Sequence, residues 1–284
     1  MESQKQFPQQ FSFEFFPPKS DEGVEKLRLC RDELAKLGPK YVSVTFGAGG
    51  STQAGTVETI REMIAAGLDA APHLSCIGST EATIRELLQQ YIEMGVKRIV
   101  ALRGDMPSGM REAGAFIYAN ELVEFIRSET GDHFHIEVAA YPEFHPQAEN
   151  AAADLDNFAN KVSAGASSAI TQYFYNLDAY LRFVEECEKR NVDVPIVPGI
   201  MPITNIKQLA RFSSMCGAEI PRWLKLRLES YGEDMRSLRA FGLEVTTELA
   251  RRLLEAGAPG LHFYTMNQVE PTRIIWTNLG LKSA

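Results

Sequence analysis

Short runs rich in β-branched and aromatic residues alternate with longer amphipathic stretches along the whole chain. The runs predict strands over residues 11–16, 41–46, 70–76, 98–102, 135–141, 169–174, 196–200 and 261–265. Several are continuously apolar, the pattern of parallel strands covered on both faces. Helices are predicted between them. Ser20 followed by Asp21 and Glu22 reads as an N-cap with an acidic first turn, and Gly38 closes that stretch. Ser79 or Thr80, with Glu81, opens another, closed by Gly95. Residues 150–164 and 177–190 continue the pattern, and the long segment 202–259 carries extra helices around 221–228 and 235–255. Eight strands, each followed by a helix, predict an α/β fold: a single-domain (β/α)8 TIM barrel over residues 11–284, behind a flexible tail at 1–10. A doubly wound sheet is the competing architecture. Its phosphate loop would have to be Gly47-Ala48-Gly49-Gly50-Ser51-Thr52, where Thr52 replaces the third small residue of the fingerprint.

Composition narrows the function. The 284 residues carry 29 Lys and Arg against 37 Asp and Glu, a net charge of −8, so a general basic footprint for nucleic acid is absent. An anionic ligand must be met by a few local donors. No apolar run is long enough to predict a membrane span, and residues 1–10 are polar with no secretory signal. Cys30, Cys76, Cys187 and Cys216 form no C-x-x-C pair and read as reduced thiols of a cytoplasmic protein. Trp223, Leu224 and Trp276 are candidates for a subunit contact, which leaves a homo-oligomer open.

In a barrel the active site lies at the C-terminal strand ends. There the sequence puts Glu14, Thr45, His73, Arg103-Gly104-Asp105, Tyr141 with Glu143 and His145, Gln172, and Tyr264-Thr265 followed by Asn267-Gln268. Period two sets Phe11, Phe13 and Phe15 on one strand face and Ser12 and Glu14 on the other. If the Phe face packs under the helices, Glu14 points into the barrel. Burial would raise its pKa and make it a proton donor near neutral pH; the alternative is a structural acid paired with Arg or Lys. Asp154, Asn157 and Lys161 share one helix face, suited to a ribose and a phosphate, or else simply solvated. No His, Asp and Cys cluster completes a metal site: His133-Phe134-His135 begins a strand, at the wrong end of the barrel.

Eight segments resemble one family when taken in order. They are Phe13-Glu14-Phe15-Phe16-Pro17-Pro18, Val42-Ser43-Val44-Thr45-Phe46-Gly47-Ala48, Ala71-Pro72-His73-Leu74-Ser75-Cys76 and Ala101-Leu102-Arg103-Gly104-Asp105. They continue with Ala139-Ala140-Tyr141-Pro142-Glu143-Phe144-His145-Pro146, Ile170-Thr171-Gln172-Tyr173-Phe174, Pro198-Gly199-Ile200-Met201-Pro202 and His262-Phe263-Tyr264-Thr265-Met266-Asn267. Together they resemble the methylenetetrahydrofolate reductases, in the bacterial single-domain form. The resemblance implies a flavoprotein that passes a hydride from NADH or NADPH through non-covalent FAD to 5,10-methylenetetrahydrofolate, giving 5-methyltetrahydrofolate for methionine synthesis. It implies catalytic roles for Glu14, as the acid that protonates folate N10, and for Asp105, which contacts pterin and tunes the flavin. Gln172 is implied as a contact shared by folate and nicotinamide, Thr45 as a nicotinamide-side contact, and Gln208 and Gln268 as substrate positions. Gln268 stands where the family commonly has Arg. Phe46, Ala48, His73, Arg103, Gly104, Asp105, Tyr118, Tyr141, His145, Ala148, Asp154, Asn157, Asn160 and Lys161 match positions that contact FAD. Two other readings stay open: another FAD barrel, such as a proline dehydrogenase, or a pterin-binding methyl-transfer protein without redox chemistry.

Overall fold

The computed structural model describes residues 1–46, 53–104 and 114–283. The strands are β1 (Gln10–Phe15), β2 (Tyr41–Val44), β3 (Ala70–Ser75), β4 (Arg98–Leu102), β5 (His135–Ala140), β6 (Ser168–Thr171), β7 (Ile196–Val197), β8 (Gly199–Ile200) and β9 (Gly260–Tyr264). The helices are α1 (Glu2–Lys5), α2 (Asp21–Ala35), α3 (Gln53–Ala65), α4 (Glu81–Glu93), α5 (Ala119–Thr130), α6 (Ala151–Ser163), α7 (Leu177–Lys189), α8 (Ile206–Cys216), α9 (Arg222–Ser230), α10 (Met235–Ala256) and α11 (Val269–Asn278).

All strand pairs are parallel, in the order β7-β6-β5-β4-β3-β2-β1-β9-β8. β7 and β8 are one crossing interrupted at Pro198, which has no N–H to give to a ladder. Ile196 and Val197 pair with β6, and Gly199 and Ile200 pair with β9, so the interrupted crossing closes the ring. The Gly199 N–H donates instead to Thr171 Oγ1 at 2.9 Å. The predicted TIM barrel is therefore present, with its seventh strand in two pieces.

Two apolar layers result from the alternation. Phe13 and Phe15 point outward into the large core beneath the helices, where Trp276 of α11 lies edge-on to Phe13 at 5.6 Å between ring centres. Inside the barrel the apolar layer is thin: Tyr41, Ala71, Val100 and Ile170, with Leu102 against them. The rest of the interior is polar, with Ser12, His73, Arg98, Glu137, Ser168 and His262 all buried.

Two expectations are corrected. The segment 1–10 is not a free tail. Residues 2–5 form a helical turn, and Gln4 is fully buried, donating to the Val194 carbonyl at 3.2 Å and accepting from Ile196 N–H at 2.8 Å. These bonds satisfy backbone groups ahead of β7. Of the three apolar residues taken as surface, only Trp223 is exposed. Leu224 and Trp276 are core, because α9 and α11 turn those faces toward the barrel. Among the described residues no helix is long and apolar enough to cross a membrane.

Candidate active site

Glu14 sits near the end of β1 and points into the barrel mouth, its side chain 18% exposed. Its backbone is clamped to the strand beside it. Thr265 Oγ1 donates to the Glu14 carbonyl at 2.6 Å, and the Asn267 side chain makes two hydrogen bonds with the Phe16 backbone. Two imidazoles face the carboxylate: His73 Nε2 at 3.3 Å from β3 and His262 Nε2 at 3.5 Å from β9. The His73 contact is within ion-pair distance but lacks the alignment of a hydrogen bond.

These neighbours reverse the expected pKa. Burial alone would raise the Glu14 carboxyl, but His262 and His73 outweigh it and hold it down at about 2. Ser12, two residues earlier on the same face, shares a 2.7 Å hydrogen bond with His262 Nδ1. A hydroxyl that donates to Nδ1 leaves the proton on Nε2, facing Glu14.

Beside this centre a cavity of about 280 Å³ opens between the ends of β4 and β5 and the flank of α6. Asn150 caps α6 by accepting from Ala153 N–H at 2.9 Å, and this fixes the helix start. Asp154, Asn157 and Lys161 all line the cavity, as their spacing predicts. So do Arg103, Gly104, Tyr118, Tyr141, His145 and Ala148. Asp154 accepts from the His145 N–H at 2.9 Å and so ties the loop after β5 to the helix. Lys161 Nζ donates to the Ala139 carbonyl at 2.6 Å; burial, then the nearby Arg103, push its pKa down to about 8 against the pull of Asp154. Gly104 has φ +82°, and a Cβ there would lie 1.9 Å from Ser75 Oγ, so the turn needs glycine.

The remaining predicted residues fall elsewhere. Thr45 and Phe46 follow β2 and are partly buried, with the Thr45 N–H on the Phe15 carbonyl. Gln172 follows β6, in a small recess with Tyr141 and Tyr173. Gln208 is in the first turn of α8, Gln268 is the exposed residue before α11, and Asn160 is exposed on α6; none of the three lines the main cavity. Ala48 and Asp105 lie outside the described residues. Sequence reasoning assigned no role to His262, Ser12 or Tyr41. The signal was present for His262, which shares an inward face with Tyr264 on the last strand.

The comparisons agree with one another. The family model for methylenetetrahydrofolate reductase matches residues 2–280. A 5,10-methylenetetrahydrofolate reductase of Pectobacterium carotovorum is 42% identical over 275 residues, covering 95% of this chain and 90% of that protein. Methylenetetrahydrofolate reductase (NADH) 1 of Arabidopsis thaliana is 39% identical over 285 residues, covering 95% of this chain but 48% of that protein. Among solved structures, an uncharacterized Clostridium thermocellum protein that binds two copies of 5-methyl-5,6,7,8-tetrahydrofolic acid superposes with a TM-score of 0.67 at 17% identity, covering 99% of this chain and 95% of that one; it supports the fold. With a family match over nearly the whole barrel, and a carboxylate and a cation-lined cavity at its mouth, this chain belongs to the methylenetetrahydrofolate reductase family.

Proposed function

We propose that this chain carries out its family's reaction, the reduction of 5,10-methylenetetrahydrofolate, with non-covalent FAD and with NADH or NADPH as donor. The observation that carries the reading is the pairing of two sites. An inward carboxylate, Glu14, sits between two imidazoles, and a cavity lined by Arg103 and Lys161 lies at the same end of the barrel.

The residues of the cavity fit FAD. Lys161 and Arg103 supply the positive charge a diphosphate needs in a protein of net charge −8. Asp154 and Asn157 offer an acceptor and an amide for ribose hydroxyls, and Gly104 lines the cavity beside Arg103. Tyr118, Tyr141, His145 and Ala148 complete the walls. FAD, when bound, supplies the hydride-carrying chemistry.

The chain's own task is the proton. Opening the methylene bridge of the folate leaves negative charge on the departing nitrogen, N10, unless a proton reaches it. Glu14 is the group we assign to deliver that proton. Because the two imidazoles hold its carboxyl at about 2, Glu14 does not store a proton at neutral pH. It passes one on as it receives one, and His262 is the facing imidazole with a second hydrogen bond behind it, to Ser12. A folate in the mouth displaces water from the carboxylate and strengthens the effect of burial, which favours its neutral form. We further assign Gln172 to both folate and nicotinamide, Thr45 to nicotinamide, Gln208 and Gln268 to the folate, and Asp105 to pterin and flavin. A neighbour of the same fold that binds 5-methyl-5,6,7,8-tetrahydrofolic acid supports a folate as ligand. Four free cysteines, three of them buried, fit the cytoplasmic placement we propose.

The test is the visible spectrum of the purified protein. Oxidised flavin bands should bleach with NADH or NADPH and return on adding 5,10-methylenetetrahydrofolate. A colourless protein that gains no flavin bands when supplied with FAD would overturn the cofactor assignment.

A further inference from the structure

The polar file that begins at Glu14 does not stop at His262. Ser12 lies directly beside Tyr41 in the β1–β2 register, and the two line one small cavity together. The Tyr41 hydroxyl reaches Glu137 Oε1 at 3.2 Å. Ser168 Oγ donates to Glu137 Oε2 at 2.5 Å, and His135 Nε2 lies 2.6 Å from Ser168 Oγ and 3.5 Å from Glu137 Oε1. Tyr41, Arg98, His135 and Ser168 are each the first residue of their strand, so this end of the file is the N-terminal rim of the barrel, opposite the active site. The His135 side chain is 37% exposed there. A cavity of about 20 Å³ beside Ser12, Tyr41 and Glu137 has room for a water molecule. Arg98 pairs with Glu137 and lies 4.3 Å over the Tyr41 ring, which fixes both groups.

We propose that Glu14–His262–Ser12–Tyr41–Glu137–Ser168–His135 is a proton path through the barrel. It would supply Glu14 from solvent at the N-terminal rim while ligands cover the mouth. A packed barrel interior ordinarily avoids such groups, because each buried polar atom must be matched. Here they follow one another in two hydrogen-bonded runs, Glu14 to Ser12 and Tyr41 to His135, that meet side by side at Ser12 and Tyr41.

The step moves one proton and no electrons. His135 gives its Nε2 proton to Glu137, directly or through Ser168, and regains one from water. The Tyr41 hydroxyl, which donates to Glu137 at rest, takes a proton from the loaded Glu137 and turns to pass its own to Ser12. Ser12 passes its own to His262 Nδ1, and the Nε2 proton goes to Glu14. Each hydroxyl keeps its hydrogen count; His262 ends with its proton on Nδ1, and once the mouth opens Nε2 takes a proton from solvent while Nδ1 returns its own to Ser12. All these residues act through Glu14 and touch no substrate.

The inference rests on Glu14 as the acid of the proposed reaction, and the experiment separates the two. Tyr41→Phe keeps the ring over Arg98 and removes the hydroxyl between Ser12 and Glu137. His135→Ala removes the donor at the rim. In rapid-mixing absorbance both variants should be bleached by NADH or NADPH as the parent is. Reoxidation by 5,10-methylenetetrahydrofolate over repeated turnovers should fall about 10²-fold in Tyr41→Phe, the scale of a lost proton donor. His135→Ala should fall as well and recover as imidazole is raised in the buffer, since imidazole can reach the rim. Recovery by a small proton carrier is not expected of a merely structural residue. If Glu14→Gln is inactive while both variants turn over at the parent rate, the path is overturned and the acid stands. Losses in His135→Ala that imidazole does not restore overturn it too. If Glu14→Gln reoxidises normally, the acid assignment itself fails, and the path with it.

Discussion

Lys161→Met keeps the length of the side chain and removes its charge, and this tests the anion site directly. In the ligand-free protein burial pushes the Lys161 ammonium down to about 8, so one pH unit lower about ten chains in eleven carry the charge. A diphosphate beside Nζ favours the charged form and raises that pKa. FAD binding above about pH 8 must therefore take up a proton, and Kd should rise about tenfold for each further pH unit. Losing a charge-assisted hydrogen bond costs about 1.5–3 kcal/mol, or roughly 10- to 150-fold in Kd. Quenching of FAD fluorescence during titration with apoprotein measures both effects. The parent should bind with a Kd that is flat up to about pH 8 and then climbs. Lys161→Met should bind more weakly at neutral pH and show no climb. A parent profile that stays flat well above pH 8, or a variant that binds as tightly as the parent, would refute the assignment of Lys161 to the phosphate.

Glu14→Gln should fold, retain FAD and be bleached by reduced nicotinamide, but lose about 10²–10⁴-fold in reoxidation by 5,10-methylenetetrahydrofolate, read by stopped-flow absorbance. Glu14 and Glu137 are both held at about 2, below the ordinary 4.5 of a glutamate, so each stabilises the fold fully above pH 4.5 and loses that contribution as pH falls toward 2. Urea unfolding midpoints should therefore drop across that window, and Glu14→Gln should blunt the drop. Gly104→Ala should cost about 1–3 kcal/mol through its positive φ, with a further cost from the contact with Ser75; chemical denaturation reads the sum. Because Gln172 is assigned to both folate and nicotinamide, the two substrates should give parallel double-reciprocal lines, and intersecting lines would indicate separate pockets.

Features that depend on local spacing were legible in the chain. The alternation in β1 places Phe13 and Phe15 outward and Ser12 and Glu14 inward, as the structure has them. The spacing of Asp154, Asn157 and Lys161 puts all three on the cavity wall. What depends on register between distant strands was not legible. Glu14 and His262 are 248 positions apart and meet only because Gln10 to Glu14 pair with Gly260 to Tyr264. The break at Pro198 follows the same logic: a sequence run shows one strand, but the missing N–H decides where its pairing changes sides. Leu224 and Trp276 read as surface because single apolar residues on a helix carry no label of the face they share. In the structure Trp276 meets both Phe11 and Phe13 edge-on.

The reversal at Glu14 changes what the site must do. An acid with a raised pKa would be loaded in advance and needs only a substrate. Burial does push the Glu14 carboxyl upward, but the two imidazoles push harder in the other direction, and the net is an ionised group at neutral pH. Such a carboxylate protonates a leaving nitrogen only if a proton reaches it in step with the bond breaking. The demand then passes to the group behind it, His262, which shares a hydrogen bond with Ser12 at Nδ1 and faces Glu14 with Nε2. An ionised Glu14 with nothing behind it would serve only as a structural acid. Backed by a file of hydroxyls and carboxylate that ends at the exposed His135, the same low pKa is consistent with an acid supplied from the far end of the barrel.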